Sequence, residues 1–325
     1  MLAGGFSSRI IAVSGTQIGT TGLIYRPNPD GGATFPVAGG GWIYAVNHET
    51  DLPNGGVTAL QFSAAGDLTN AFELLSGSDR NCAGGATPWG TWLSCEEVSR
   101  GKVWECYALT GATATARPAL GLFAHEAVAV DPVNHRLYLT EDKPDGGLYR
   151  FTPTAYPNLA SGLLEVLCET AGVVSWQTIP DPAAATTSTR YQLAARKPFN
   201  GGEGICYASG AVYFTTKGDN SVWRLDVNTN ALSVVYSAAT SPTPVLTGVD
   251  NIVCRTNGDF YVAEDGGDMQ VVVLSGSTVT PVAQVTGAAG SEITGVAFSP
   301  DQTRLYFSSQ RSPGLTYEIT GPFHS

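Results

Sequence analysis

The feature that most constrains this chain is a hairpin that recurs six times in phase. Each copy has a polar starter, an apolar strand, a tight turn, a second apolar strand and a polar finish. The copies start at Asp30, Cys82, Glu126, Glu203, Asp250 and Glu292, separated by 52, 44, 77, 47 and 42 positions. All but one interval match the four-stranded blade of a β-propeller. Turn chemistry agrees, because Ser209-Gly210, Asn257-Gly258 and Pro300-Asp301 are hairpin signals. Six starters imply an all-β, six-bladed β-propeller, with residues 1–325 as a single domain. The leftover strand Arg9-Ile10-Ile11-Ala12-Val13 is expected to pair into the last blade and close the ring, leaving few open edges. A β-sandwich is the alternative, but six in-phase starters are hard to place in one. The long interval is expected to hold an insert at about 155–200, between the third and fourth blades, as a flexible excursion or a wall over the site.

Composition supports many short strands. Gly 39 and Pro 19 stand beside only 14% charged residues, and 43% of the chain is hydrophobic. The formal net charge of −11 argues against a nucleic-acid partner and suits a protein that collects cations. No run approaches the roughly 18 apolar residues of a membrane span. The start, Met1-Leu2-Ala3-Gly4-Gly5, shows no charged region and apolar run of a signal peptide. Six cysteines contain no CxxC pair, so a zinc ribbon is unsupported. Cys106, Cys168, Cys206 and Cys254 sit in apolar runs and read as core residues; the even count permits disulfides without implying them.

In a propeller the inner strand of each blade lines the channel, and the second strand returns to the same mouth. That geometry gathers Asp30, Cys82, Glu126, Glu203, Asp250 and Glu292 into one ring, with Glu49, Glu97, Glu141 and Glu264 as a second tier. Carboxylates so close cannot all ionise without cations. Oxygen-rich positions suit Ca²⁺, whereas a thiolate suits iron or another transition metal. The bland alternative is a ring of acids held by backbone N–H groups, or one structural Ca²⁺. Neither asks for a Cys.

The run Asn81-Cys82-Ala83-Gly84-Gly85-Ala86-Thr87-Pro88-Trp89-Gly90-Thr91-Trp92-Leu93-Ser94-Cys95-Glu96-Glu97 resembles the signature of the PhoX-type alkaline phosphatase family. So do His125-Glu126-Ala127, Leu139-Thr140-Glu141-Asp142, Gly202-Glu203-Gly204, Val249-Asp250-Asn251 and Phe298-Ser299-Pro300-Asp301, in the same order. The resemblance implies a propeller holding Fe³⁺ and Ca²⁺ that hydrolyses phosphate esters. It also implies Cys82 as an iron ligand, Glu126, Glu203, Asp250 and Glu292 as ligands of iron, calcium or both, and Glu97 and Asp30 close to metal. Glu264 is expected among these ligands as a second-tier acid. An exported protein, periplasmic or extracellular, is implied as well. This chain looks like a short, divergent member. Where the best-studied branch has Arg-Pro-Glu, with an Arg that holds phosphate, it has Gly201-Gly202-Glu203.

Metal-assisted hydrolysis of a phosphate ester is therefore the expected chemistry, with a metal-activated water or oxide attacking phosphorus in line. Lys217 and Arg311 are candidates for the missing phosphate charge, ahead of Arg196 and Lys197, which fall outside the hairpin. His125 adjoins a starter and could aid the leaving group, although a role behind the metal ligands or in packing fits it better, and His48 is a weaker candidate of the same kind. Competing readings are a phosphodi- or triesterase, a sulfatase, a calcium-dependent lactonase and a non-catalytic protein-binding propeller. The expected partner is a small phosphate ester, and the expected state is a monomer.

Overall fold

The computed structural model describes residues 1–288, 290–311 and 313–323. They form six antiparallel sheets arranged as the blades of a propeller. The inner strands are Pro29–Pro36, Asn81–Ala86, His125–Asp131, Gly202–Ala208, Val249–Cys254 and Ile293–Phe298. Their partners, in the same order, are Trp42–His48, Trp92–Glu96, Arg136–Glu141, Ala211–Thr216, Phe260–Glu264 and Arg304–Ser309. Ser7–Val13 pairs with Leu315–Thr320 as the outermost strand of the sixth blade, so the ring is closed by the chain's own start. At the turn between the fourth blade's first two strands, Ser209 and Gly210 both have positive φ, 49° and 78°, as a two-residue hairpin loop requires.

Blades stick to one another through apolar faces. Between the sixth and first, Tyr306 stacks on Tyr44 and packs against Phe62, which stacks in turn on Trp42 of its own blade, all buried. Each such ring is worth roughly 1.5–3 kcal/mol of burial, and Trp42 Nε1 still finds a partner in the Tyr306 hydroxyl at 3.2 Å.

Part of the 155–200 stretch is blade. Asn158–Thr170 and Val173–Thr178 make the fourth and fifth strands of the third sheet. The segment that follows lies against the second and third blades: Leu122 N donates to Pro182 O, Thr189 Oγ1 to Leu122 O, and Arg190 Nη1 to Glu141 Oε1.

Two cysteines read as plain core residues do more. Cys206 and Cys254 form a disulfide, with Cα atoms 6.0 Å apart, between the inner strands of the fourth and fifth blades. Cys95, Cys106 and Cys168 are free and buried, and Cys82 is free and partly exposed.

All six inner strands share one irregularity. Pro29 pairs with His48 and Gly32 with Val46; Asn81 with Glu96 and Gly84 with Ser94; His125 with Glu141 and Val128 with Leu139. The fourth and fifth blades repeat the pattern (Gly202–Thr216, Ile205–Phe214; Val249–Glu264, Ile252–Val262), as does the sixth (Thr294–Ser308, Ala297–Tyr306). Two residues on the inner strand thus face one on its partner, which is a β-bulge, and a bulge re-aims a side chain. In the first five blades the residue after the bulge-opening pair, Asp30, Cys82, Glu126, Glu203 or Asp250, turns toward the channel.

Small residues at the bulges let the inner strands converge. A Cβ on Gly31 would stand 2.6 Å from Ala83 Cα, on Gly204 2.5 Å from Ile252 N, and on Gly295 2.4 Å from Asp30 O. Polar side chains then tie the backbones of three starters to the blade before each. Asn47 Nδ2 donates to Cys82 O (3.0 Å) and Ala83 O (2.7 Å), Thr140 Oγ1 to Glu203 O (2.5 Å), and Thr215 Oγ1 to Asp250 O (2.6 Å).

Candidate metal centre

At one mouth of the channel these devices create a chamber of about 200 Å³. All six expected starters line it: Asp30, Cys82, Glu126, Glu203, Asp250 and Glu292. Glu97, Lys217 and Arg311 line it too. Register shows that Glu292 arrives differently from the other five. It precedes its strand, and Thr294 occupies the position equivalent to Asp30, spending its hydroxyl on Pro29 O at 3.0 Å.

Two second-tier expectations need correction. Glu264 does not face the chamber; its carboxylate accepts the backbone N–H groups of Thr247 and Gln270, both at 3.0 Å. Glu141 likewise accepts from Gly147 N, Tyr149 OH and Arg190. Their neighbours Asp265 and Asp142 line the chamber instead. One rule covers every blade. The strand-end residue paired with the inner strand turns back into its own blade, and the next residue faces the mouth. Glu49, Glu97, Asp142, Lys217 and Asp265 obey it as lining residues, and Gln310 does so by donating to Asp30 Oδ2 (2.6 Å) and Glu49 Oε2 (2.9 Å).

His125 is also corrected. It is the paired residue before the bulge, so its ring points into the blade, where Nε2 meets Gly121 O at 3.0 Å and Phe123 packs 3.6 Å from its centroid. Burial pulls its pKa down to about 4, and it does not reach the chamber. His48 is buried against Thr58 Oγ1 at 2.9 Å for the same reason. Lys197 pairs with Glu169 and Arg196 caps Arg190 O and Asp145 O, so neither lines the site.

The arrangement is electrically lopsided, because nine carboxylates line the chamber against three cations, Arg80, Lys217 and Arg311. Each cation is already committed. Lys217 Nζ lies 2.8 Å from both Glu203 and Asp142, Arg311 Nη2 2.5 Å from Glu292, and Arg80 Nη2 2.5 Å from Glu49. A pair of like charges about 4 Å apart costs roughly 4 kcal/mol at an effective dielectric constant of 20. Protonation is the response without ions. Burial raises Glu203 to about 8, with Lys217 opposing, and raises Glu292 to about 8, helped by Asp265. Glu97 rises to about 7 through burial and then Asp142. Asp30, Glu126 and Asp250 rise well above the carboxylate range, by burial first and neighbouring acids second. The Cys82 thiol, 3.3 Å from Glu126 Oε1, is pushed up by burial and then by Asp30 and Glu126.

The donor set fits metal. Three groups offer ligand atoms all within 4.8 Å of one another: Asp30, Glu49 and Cys82; Cys82, Glu97 and Glu126; Glu126, Glu203 and Asp250. Two oxygens at the 2.3–2.6 Å of a calcium ion can stand that far apart, so each group is of a size to share one ion. Cys82 and Glu126 each belong to two groups, so the three form a continuous chain. A thiolate in the first two groups suits a transition metal, and the third is all oxygen. Sequence reasoning missed Arg80, Asp142 and Asp265. The strand-end rule, had the bulges been visible, would have found the two aspartates.

Comparisons with known proteins give the family and the fold. A sequence model of the PhoX alkaline phosphatase family matches residues 44–112 and 107–231. No curated protein sequence matches. Among solved structures, Pseudomonas fluorescens PhoX in complex with vanadate, a transition-state analogue, superposes with a TM-score of 0.78 at 16% identity, covering 99% of this chain and 96% of that one. A protein of unknown function from Bacteroides thetaiotaomicron gives 0.62 at 12% identity over 97% and 76%. A gluconolactonase from Xanthomonas campestris gives 0.54 at 14% identity over 91% and 86%. The family match runs over more than half of the sequence and through four of the blades that build the chamber, and on it this chain belongs to the PhoX family of alkaline phosphatases.

Proposed function

We propose that the protein hydrolyses phosphate esters at the acidic chamber, with iron and calcium as its resident metals. Membership of the PhoX family makes it a hydrolase of phosphoric esters. The observation that carries the finer reading is the convergence of one thiol and nine carboxylates in about 200 Å³. With three cations against nine acids, no phosphate dianion approaches this mouth until multivalent cations have reversed its charge. Cys82 with Asp30, Glu49, Glu97 and Glu126 would hold iron, and Glu126, Glu203 and Asp250 would hold calcium, with Glu292 beside them. Such ions, when bound, polarise a phosphoryl oxygen and make water a nucleophile at neutral pH.

The chain's own residues do the rest. The bulges and the tethers from Asn47, Thr140 and Thr215 fix where the ligand atoms stand. Lys217 and Arg311 sit at the rim, half-exposed, and turn from Glu203 and Glu292 toward a bound oxyanion once those acids are engaged elsewhere. His125 takes no part in proton transfer.

None of residues 155–200 lines the chamber, and this favours broad ester acceptance. A lactonase on the same propeller would leave Cys82 without a task, so iron content separates the two. Elemental analysis joined to a panel of phosphomono-, di- and triesters, a sulfate ester and a lactone tests the reading. Cys82→Ala and Glu203→Gln should each lower kcat/KM by more than the roughly 10–100-fold typical of an outer metal partner, with the fold intact by circular dichroism. Full activity in both variants, or iron-free protein that turns over lactone alone, would overturn it.

A further inference from the structure

Arg80 stands two residues before Cys82, and nothing in the repeat marks it. Its backbone is left-handed (φ 44°), an uncommon state for a long side chain. Its N–H donates to Thr50 O and its carbonyl accepts from Glu97 N, both at 2.9 Å, so the loop is pinned to the first and second blades together. Backbone held in this way tends to mark a functional position. The side chain enters the chamber lining while remaining 44% exposed.

Its contacts set it apart from the other two cations. Nε and Nη2 reach Glu49 Oε1 at 2.9 and 2.5 Å, and Nη2 lies 3.8 Å from Glu97 Oε2. Glu49 belongs to one candidate metal group and Glu97 to another, and Cys82 is common to both. Among the described residues lining the chamber, Arg80 is the cation that spans two such groups. Lys217 touches one, through Glu203, and the carboxylate paired with Arg311 belongs to none.

We propose that Arg80 holds the phosphoryl oxygens of the substrate, with its guanidinium reaching the chamber from the first-to-second-blade loop. The inference rests on the phosphoesterase reading above. In the ion-free chamber the guanidinium neutralises Glu49. When Glu49 and Glu97 ligate ions, their charge is met elsewhere and the planar fork is left facing the mouth. A guanidinium matches two phosphate oxygens at once, which a lysine cannot do.

The test is direct binding of inorganic phosphate to metal-loaded protein by calorimetry, with metal content measured on the same samples. Arg80→Ala should weaken phosphate binding by about 10–100-fold, the range for loss of a charge-assisted contact. Arg80→Lys should fall between the two, and metal stoichiometry should stay at the wild-type value in both. Phosphate binding as tight in Arg80→Ala as in the wild type would overturn the proposal. So would loss of metal in step with loss of phosphate, which would make Arg80 a brace for Glu49. If Arg80→Ala does not fold, Arg80→Lys decides: weaker phosphate at full metal content supports the proposal, and unchanged affinity ends it. Wild-type protein that binds phosphate through Arg80 yet hydrolyses no phosphate ester would sink the phosphoesterase reading and leave Arg80 as an oxyanion-binding residue without a substrate.

Discussion

A single position along a strand decides whether a carboxylate meets ions or braces a turn. Glu264 and Asp265 are adjacent, yet Glu264 is buried with two backbone N–H groups and Asp265 lines the chamber. Glu264→Ala should therefore cost about 1–3 kcal/mol of stability, because two amides lose their acceptor, while metal content holds. Urea denaturation and elemental analysis check the pair; lost metal at unchanged stability would reverse the assignment. The six starters were legible in the sequence because each opens an apolar run at blade spacing. The facing of their neighbours was not, since side chains alternate with period two and a bulge shifts that alternation without leaving a mark in composition. For that reason the spacing points Glu141 and Glu264 toward the mouth, whereas the fold brings Asp142 and Asp265 there.

The inner strand with its bulge is the element that turns a repeat into a binding site. Gly204 lies directly after Glu203 and passes so close to the next blade that a Cβ would stand 2.5 Å from Ile252 N and 2.7 Å from Asn251 Cα. Gly204→Ala should push these two strands apart, costing about 1–3 kcal/mol as overpacking does. It should also deplete the ion expected at Glu126, Glu203 and Asp250 before the ions on the Cys82 side. Calcium and iron content measured separately would show it; equal loss of both would place the damage in the whole ring. The hairpins themselves were readable from turn residues such as Ser209-Gly210. The tethers from Asn47, Thr140 and Thr215 were not, because they join residues 35, 63 and 35 positions apart.

At the scale of the molecule, the ring concentrates carboxylates whose repulsion is relieved by protons or by bound cations. Glu97, Glu203 and Glu292 move from an ordinary 4.5 to about 7, 8 and 8 in the ion-free fold. A carboxyl raised by folding contributes stability that is complete below about pH 4.5 and is lost as pH climbs through 7 to 8. Buried His48 and His125, lowered to about 3 and 4, act the other way and remove stability as pH falls below about 6.5. Chelated protein should accordingly be most stable on the acid side of neutrality. The fall in Tm on chelation should be larger at pH 8 than at pH 6, as scanning calorimetry would record. An equal fall at both values would mean that the acids are not what the ions neutralise. The six-bladed plan and its closure by Ser7–Val13 were both legible, since spacing and a leftover strand suffice for them.

The disulfide bears on how the molecule comes to exist. Cys206 and Cys254 lie on the two strands that begin with Glu203 and Asp250, so one covalent link braces the far ends of strands whose near ends repel. The finished protein must hold that pair oxidised while Cys82 stays a free thiol. An oxidant has to reach one sulfur pair and spare the sulfur that lines the mouth. Polypeptide made in a reducing compartment lacks the brace, and the acids on those two strands then repel with nothing covalent between them.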